Sequence, residues 1–141
     1  TDADLQHLER FTELEWLDLR VTPIGDEGVS HIRNLRKLKF LNVARTSVSD
    51  KGLNHISGLI ELETLLIGTT KVTDEGMKSL GRMSKLKKMS IFRNAVTDAG
   101  LKHLEKLKTL EILTLGESKV TDAGMRAIKQ AIPNIRFTEQ T

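Results

Sequence analysis

Six aspartates and four histidines in this chain recur on one grid. Asp2, Asp26, Asp50, Asp74, Asp98 and Asp122 are each 24 residues apart, and His7, His31, His55 and His103 keep the same interval, with one site skipped. Columns of carboxylates and imidazoles are the usual ligands of calcium and zinc sites. The interval argues against both. Equivalent residues of successive units sit on neighbouring helices, about 10 Å apart, whereas zinc needs its ligands within about 2 Å of the metal. The histidines therefore read as side chains flanking a row of stacked helices. Each aspartate from Asp26 onward follows Gly25, Ser49, Thr73, Thr97 or Thr121. A hydroxyl followed by a carboxylate is a helix start, with the hydroxyl as N-cap and the carboxylate favoured by the helix dipole. The chain contains no nucleophile elbow, phosphate-binding loop, dinucleotide-binding glycine loop or His-Glu-x-x-His sequence. No acid, base and nucleophile converge on one place. The expectation is a protein that is not an enzyme and needs no cofactor or metal.

The elements that carry these columns come from an internal repeat. Full units occupy residues 11–34, 35–58, 59–82, 83–106 and 107–130, preceded by a partial unit 1–10 and followed by a truncated unit 131–141. After Gln130 the chain gains one residue and runs Ile132-Pro133-Asn134-Ile135-Arg136-Phe137. Numbered from Leu59, positions four, seven and nine are apolar, as in Leu62, Leu65 and Ile67. The alternation of seven and nine predicts a short strand with one face inward. Position twelve is Thr22, Thr46, Thr70, Asn94 or Ser118, suited to satisfying turn backbone groups and the same position in the next coil. Position fourteen, Ile24 or a valine, plugs the turn. Gly28, Gly52, Gly76, Gly100 and Gly124 recur in the helix start, where a helix former would be more stable, and so imply close approach of another group. Met77 and Leu80 continue to Met83 as a helical stripe.

A strand, a turn and a short helix in 24 residues resemble a leucine-rich repeat. Leu59 to Leu80 reproduces the motif L-x-x-L-x-x-L-x-L-x-x-T-x-V-T-D-x-G-L-x-x-L, with Met77 in place of the penultimate leucine. The half Thr-x-Val-Thr-Asp-x-Gly-Leu is similar to a bacterial, planctomycete-like subtype. The resemblance covers nearly the whole chain. It implies an α/β fold: a right-handed, horseshoe-like solenoid with a concave parallel sheet and short convex α-helices. Curvature is also expected physically, because strands stack at about 4.8 Å and helices at about 8–10 Å.

Composition narrows the function. The chain has 141 residues, 38% of them hydrophobic, enough for one domain with a real core. Its 22 basic and 19 acidic residues are interspersed, giving a net charge of +3 without the basic runs of a nucleic-acid or membrane-surface binder. Cysteine is absent, which excludes disulfides and fits a reducing, cytoplasmic compartment. No apolar run reaches membrane-spanning length and no signal peptide is visible. The first residue is Thr1 rather than Met, so the chain reads as a fragment or a processed form. Position five alternates Glu15, Lys39, Glu63, Lys87, Glu111, and position three Glu13, Lys37, Glu61, Lys85. Alternation cancels any steering field, so the ladder reads as coil-to-coil stitching rather than an amphoteric binding rim.

The columns that vary face outward from the strands. Position six carries Trp16, Phe40, Thr64, Lys88 and Ile112. Position eight carries Asp18, Asn42, Leu66, Ser90 and Thr114. Position ten carries Arg20, Ala44, Gly68, Phe92 and Gly116, and Val21, Arg45, Thr69, Arg93 and Glu117 follow at eleven. Aromatic and arginine side chains anchor protein interfaces. The candidate partner-binding residues are therefore Trp16, Asp18, Arg20, Phe40, Asn42, Arg45, Leu66, Phe92 and Arg93. Against this, Trp16 and Phe40 could pair across adjacent strands, and Phe92 could cover the bare backbone of Gly68 and Gly116. The expected function is a protein-protein interaction module holding a protein or peptide on its concave face. It would bind no nucleic acid, insert in no membrane and be monomeric. The alternatives are a recognition arm of a larger protein (an effector, kinase or ubiquitin-ligase adaptor) and a structural repeat that self-associates weakly through its ends or edges.

Overall fold

Three-residue strands form wherever positions six to eight alternate an inward leucine, methionine or phenylalanine with outward side chains. In the computed structural model, which describes residues 1–139, these are β1 (Trp16–Asp18), β2 (Phe40–Asn42), β3 (Thr64–Leu66), β4 (Lys88–Ser90), β5 (Ile112–Thr114) and β6 (Arg136–Thr138). All six are parallel and paired in chain order, with equivalent residues opposite each other, as in Trp16 with Phe40 and Leu65 with Met89. The repeat thus becomes a lattice in which each residue abuts its equivalent in the next coil. The solenoid expected from the sequence is the fold.

Helices run on the other side of the core: α1 (Asp26–Ser30), α2 (Asp50–Ile56), α3 (Asp74–Met77), α4 (Asp98–Leu101) and α5 (Asp122–Ala131). A 3-10 helix, Ala3–Leu8, precedes them. In the third and fourth full copies only four residues are α-helical, and the chain then tightens into 3-10 turns at Lys78–Arg82 and Lys102–Lys106. Met77, Leu80, Met83, Leu86 and Met89 are fully buried at a constant interval of three, which suits about 3.0 residues per 3-10 turn. Leu53, Ile56 and Leu59 keep the same interval where α2 stays α-helical to Ile56, so the interval permits the 3-10 turns without requiring them. In the last copy the residue gained after Gln130 moves the next apolar side chain to Ile132, four beyond Ile128. There α5 stays α-helical for ten residues. The extra residue is absorbed before the strand, since Ile112 still pairs with Arg136 and Leu113 with Phe137.

The core is a single stack of these inward columns, with Leu41, Leu65, Met89 and Leu113 fully buried at its centre. Among the described residues no helix is long and apolar enough to cross a membrane.

The aspartate column acts between coils rather than within its own helix. Asp26 Oδ1 accepts the backbone N–H of Ser49 at 2.7 Å, and Oδ2 accepts the Ser49 hydroxyl at 2.6 Å. Asp50 with Thr73, Asp74 with Thr97 and Asp98 with Thr121 repeat the pair of bonds. Asp2 accepts from the Gly25 N–H alone, because glycine offers no hydroxyl. The hydroxyls cap their helices as expected, Ser49 accepting from Lys51 N–H and Thr73 from Glu75 N–H. The recurrent glycines make room for the same carboxylates. A Cβ at Gly76 would fall under 3.0 Å from Asp50 Oδ1, and Gly52 and Gly100 are blocked in the same way by Asp26 and Asp74. The close approach inferred from the glycines is thus a side chain of the preceding coil.

Candidate binding surface

The concave face is built from the outward strand positions and the corner that follows them. Trp16 and Phe40, opposite each other on β1 and β2, stack with ring centroids 4.8 Å apart at 11°. Both properties weighed from the sequence coexist here: the rings pair, yet Trp16 stays 58% exposed and Phe40 is half-buried. An aromatic pair is worth about 0.5–1.5 kcal/mol beyond its area, which holds the exposed indole in place.

Position eight departs from the expectation of a contact column. Asn42, expected to touch a partner, is buried, with 4% of its surface exposed. Its Oδ1 accepts the N–H of Ala44 two residues on, at 3.0 Å. Asp18 does the same for Arg20, at 3.0 Å, and Ser90 for Phe92, at 3.4 Å. A short polar side chain at a strand end turns back to its own backbone, so Asn42 shapes the corner instead of meeting solvent. Asp18 is half-buried, and its Oδ2 lies 3.3 Å from Arg20 Nε. Leu66 has no such bond to make and stays half-buried on the surface.

The corner residues at position eleven are all left-handed: Val21, Arg45, Thr69, Arg93 and Glu117 have φ between 55° and 58°. No glycine or asparagine stands at these positions to signal it. At Val21, Arg45, Thr69 and Arg93 the conformation is held because the N–H continues the ladder beyond the strand. Arg45 donates to the Gly68 carbonyl at 2.9 Å, Thr69 to Phe92 at 2.7 Å and Arg93 to Gly116 at 2.9 Å. The turn aims the exposed Arg45 and Arg93 outward along the rim of the sheet. Arg93 Nε lies 2.7 Å from Glu117 Oε2, and its guanidinium sits 5.9 Å from the Phe92 ring centroid. Phe92 is half-buried beside Gly68, where a Cβ would come within 3.0 Å of the Phe92 carbonyl oxygen and 3.3 Å of its Cβ.

Four of the nine candidate residues line one depression of about 520 Å³. Arg20, Asn42, Arg45 and Leu66 meet there with Val21, Ala44 and Lys88. Trp16 with Phe40, and Phe92 with Arg93, do not line it. Lys88, on β4, is the charged member that is neither aromatic nor arginine and so was not among the nine candidates.

The charge ladder on the flank is paired by twos. Glu13 with Lys37, Glu15 with Lys39, Glu61 with Lys85 and Glu63 with Lys87 are bridged at 2.5–3.0 Å. The hydrogen bond that Lys39 donates to Glu15, then the Glu15 charge, raises the pKa of the Lys39 ammonium above its ordinary value. All these side chains are well exposed, so each bridge contributes little, about 0–1 kcal/mol. Among the histidines, His31 Nδ1 meets Glu9 Oε1 at 2.5 Å. No group of three or more potential metal ligands gathers among the described residues.

Residues 1–136 match the family model described as a leucine-rich repeat region. No curated protein matches significantly. Among solved structures, an internalin (inlF) from Listeria monocytogenes is 20% identical at a TM-score of 0.82, over 96% of this chain and 37% of that one. An internalin C2 (inlC2) from the same species is 23% identical at 0.75, over 94% and 55%. A leucine-rich repeat protein of Leptospira interrogans is 18% identical at 0.62, over 93% and 38%. The chain therefore spans less than two thirds of each. With the matched region running from the first residue almost to the last, the chain belongs to the leucine-rich repeat family.

Proposed function

We propose that this chain is a non-enzymatic protein-binding module of the bacterial 24-residue leucine-rich repeat subtype, gripping a protein or peptide on its concave strand face. The anchors are Trp16, Phe40 and Phe92, with Leu66 between them and Arg20, Arg45 and Arg93 around them. Asp18 orients Arg20 from below. The observation that supports this reading is the exposed Trp16, stacked on Phe40 in a fixed pose. The aspartate, glycine and position-twelve columns are taken up by bonds within and between coils, whereas the outward columns differ from coil to coil. Held aromatics lose little side-chain entropy on binding and are common hot spots. The test is capture of a partner by the wild type and by the double variant Trp16→Ala, Phe92→Ala. Circular dichroism should be unchanged and capture lost; undiminished capture would refute the reading.

A second reading makes the chain the recognition arm of a larger effector, kinase or ubiquitin-ligase adaptor. Its support is that the chain spans only part of each similar structure. The open reading frame around Thr1 decides it, since a gene encoding these residues alone would refute it. Self-association through the ends is the weaker alternative, and light scattering showing a strict monomer at high concentration removes it.

A further inference from the structure

The net charge of this protein is found on one face. Of 22 Lys and Arg and 19 Asp and Glu, five cations (Arg20, Arg45, Lys88, Arg93, Arg136) and two carboxylates (Asp18, Glu117) stand on the outward strand positions and their corners. The remaining seventeen of each sign cancel, so the whole net charge of +3 resides there. Both carboxylates of the face are already engaged, Asp18 by Arg20 and Glu117 by Arg93. Arg45 and Lys88 pair with no carboxylate among the described residues. Both line the depression of about 520 Å³, together with the apolar side chains of Leu66 and Ala44.

Resting on the concave-face reading, we propose that the bound segment is acidic: an extended peptide that places a carboxylate between Arg45 and Lys88 and lays an adjacent aliphatic side chain on Leu66. Two unmatched cations sharing a depression with apolar side chains complement a carboxylate beside a hydrocarbon group. The low-dielectric wall beneath them strengthens the attraction. An arginine fork also suits a carboxylate geometrically. Inside the sheet the backbone donors and acceptors are spent on neighbouring strands, so recognition at this point runs through side chains and not by adding a strand. A nucleic acid fits less well. On this face only Arg45, Lys88 and Arg136 lack a carboxylate partner among the described residues, and Trp16 and Phe40 stack on each other rather than standing apart as base platforms.

The test selects random twelve-residue displayed peptides on the full chain and keeps those that Trp16→Ala, Phe92→Ala fails to bind. Labelled copies are then titrated by fluorescence anisotropy against the wild type and Arg45→Gln, Lys88→Gln, both sites being at the surface and both variants checked for an unchanged fold. A labelled 20-nucleotide single strand is titrated in parallel. The expected result is enrichment in Asp and Glu beside Leu, Ile or Val, with affinity falling at least about tenfold on Arg45→Gln, Lys88→Gln. Face-dependent peptides that are neutral or basic, or acidic ones indifferent to Arg45 and Lys88, overturn this inference and leave the concave-face reading standing. Recovery of no face-dependent peptide overturns both. Tighter binding of the single strand than of every peptide also overturns the acidic-peptide assignment.

Discussion

Replacing Gly76 by alanine probes the bond that ties one coil to the next. In an ordinary helix the change would stabilise by about 1 kcal/mol. Here the new Cβ would come under 3.0 Å from Asp50 Oδ1 and stand 3.1 Å from Asp50 Cγ and Cα. The carboxylate has to swing away, and it then loses the Thr73 N–H and the Thr73 hydroxyl, each bonded at 2.7 Å. At about 1.5 kcal/mol for each bond to a charged, partly buried acceptor, the loss is about 3 kcal/mol. The net effect of Gly76→Ala is then a destabilisation of about 2 kcal/mol, opposite in sign to helix propensity. Asp50→Ala alone should lose about 3 kcal/mol from the same two bonds. In the double variant no carboxylate remains to be displaced, and the alanine recovers most of its helix preference, limited by the Asp50 Cα. The double variant should therefore be about as stable as Gly76→Ala alone, a coupling of about 2–3 kcal/mol between the sites. Guanidinium unfolding of the four proteins measures it, provided the slope is unchanged. Additivity within about 0.5 kcal/mol would refute the claim that the glycine is there for the carboxylate.

Other expected outcomes follow from the same lattice. The Thr121 hydroxyl, donating at 2.6 Å, and then its backbone N–H at 2.8 Å hold the Asp98 carboxyl below its ordinary 3.8. A depressed carboxyl stabilises the fold fully above that value and loses the contribution as pH falls through the folded-state one. Thr121→Val should therefore destabilise more at neutral pH than in strong acid, where only the lost cap of the Gly124 N–H remains, with the Asp98 titration by carboxyl NMR moving up; an unmoved titration contradicts this. Val21→Asn should raise stability by about 1 kcal/mol, because asparagine tolerates the left-handed corner that valine occupies at φ 57°. A lower melting temperature would show that Val21 contributes packing there. Asn94 donates to the Ile67 carbonyl at 2.9 Å and accepts the Thr70 N–H at 3.0 Å. Asn94→Ala should cost about 2–3 kcal/mol in chemical denaturation, and a loss under about 0.5 kcal/mol would mean water replaces the side chain.

The fold was legible because each apolar position recurs five times in register, and a parallel lattice is the one arrangement that stacks every copy on its equivalent. Leu41, Leu65, Met89 and Leu113 needed nothing but their spacing to be placed inside. What could not be read was contact between coils beyond that stacking. The aspartates looked like local caps because a sequence shows that Asp74 follows Thr73, but not that it reaches Thr97. The left-handed corners carry valine, threonine, arginine and glutamate, none of which advertises positive φ. On the concave face Trp16, Phe40 and Phe92 stand at the outward positions the alternation required, whereas Arg45 is aimed outward by its left-handed corner. Asn42 does not, and the signal that would have found this was present: Asp18, Asn42 and Ser90 at a strand end are short polar residues suited to bonding the N–H two residues ahead. Lys88 was visible in its column, and only its place in the same depression as Arg45 required the coordinates.

Whether the concave face is where this protein meets its partner can be measured by photo-crosslinking. Benzoylphenylalanine is placed at Phe92 on that face, or at the exposed Lys78 on the opposite, helical side, and each protein is irradiated in a lysate of the cells that encode it. A discrete adduct from position 92, absent from position 78 and abolished by Trp16→Ala, is the expected result. Adducts from position 78, or from neither position, would contradict it.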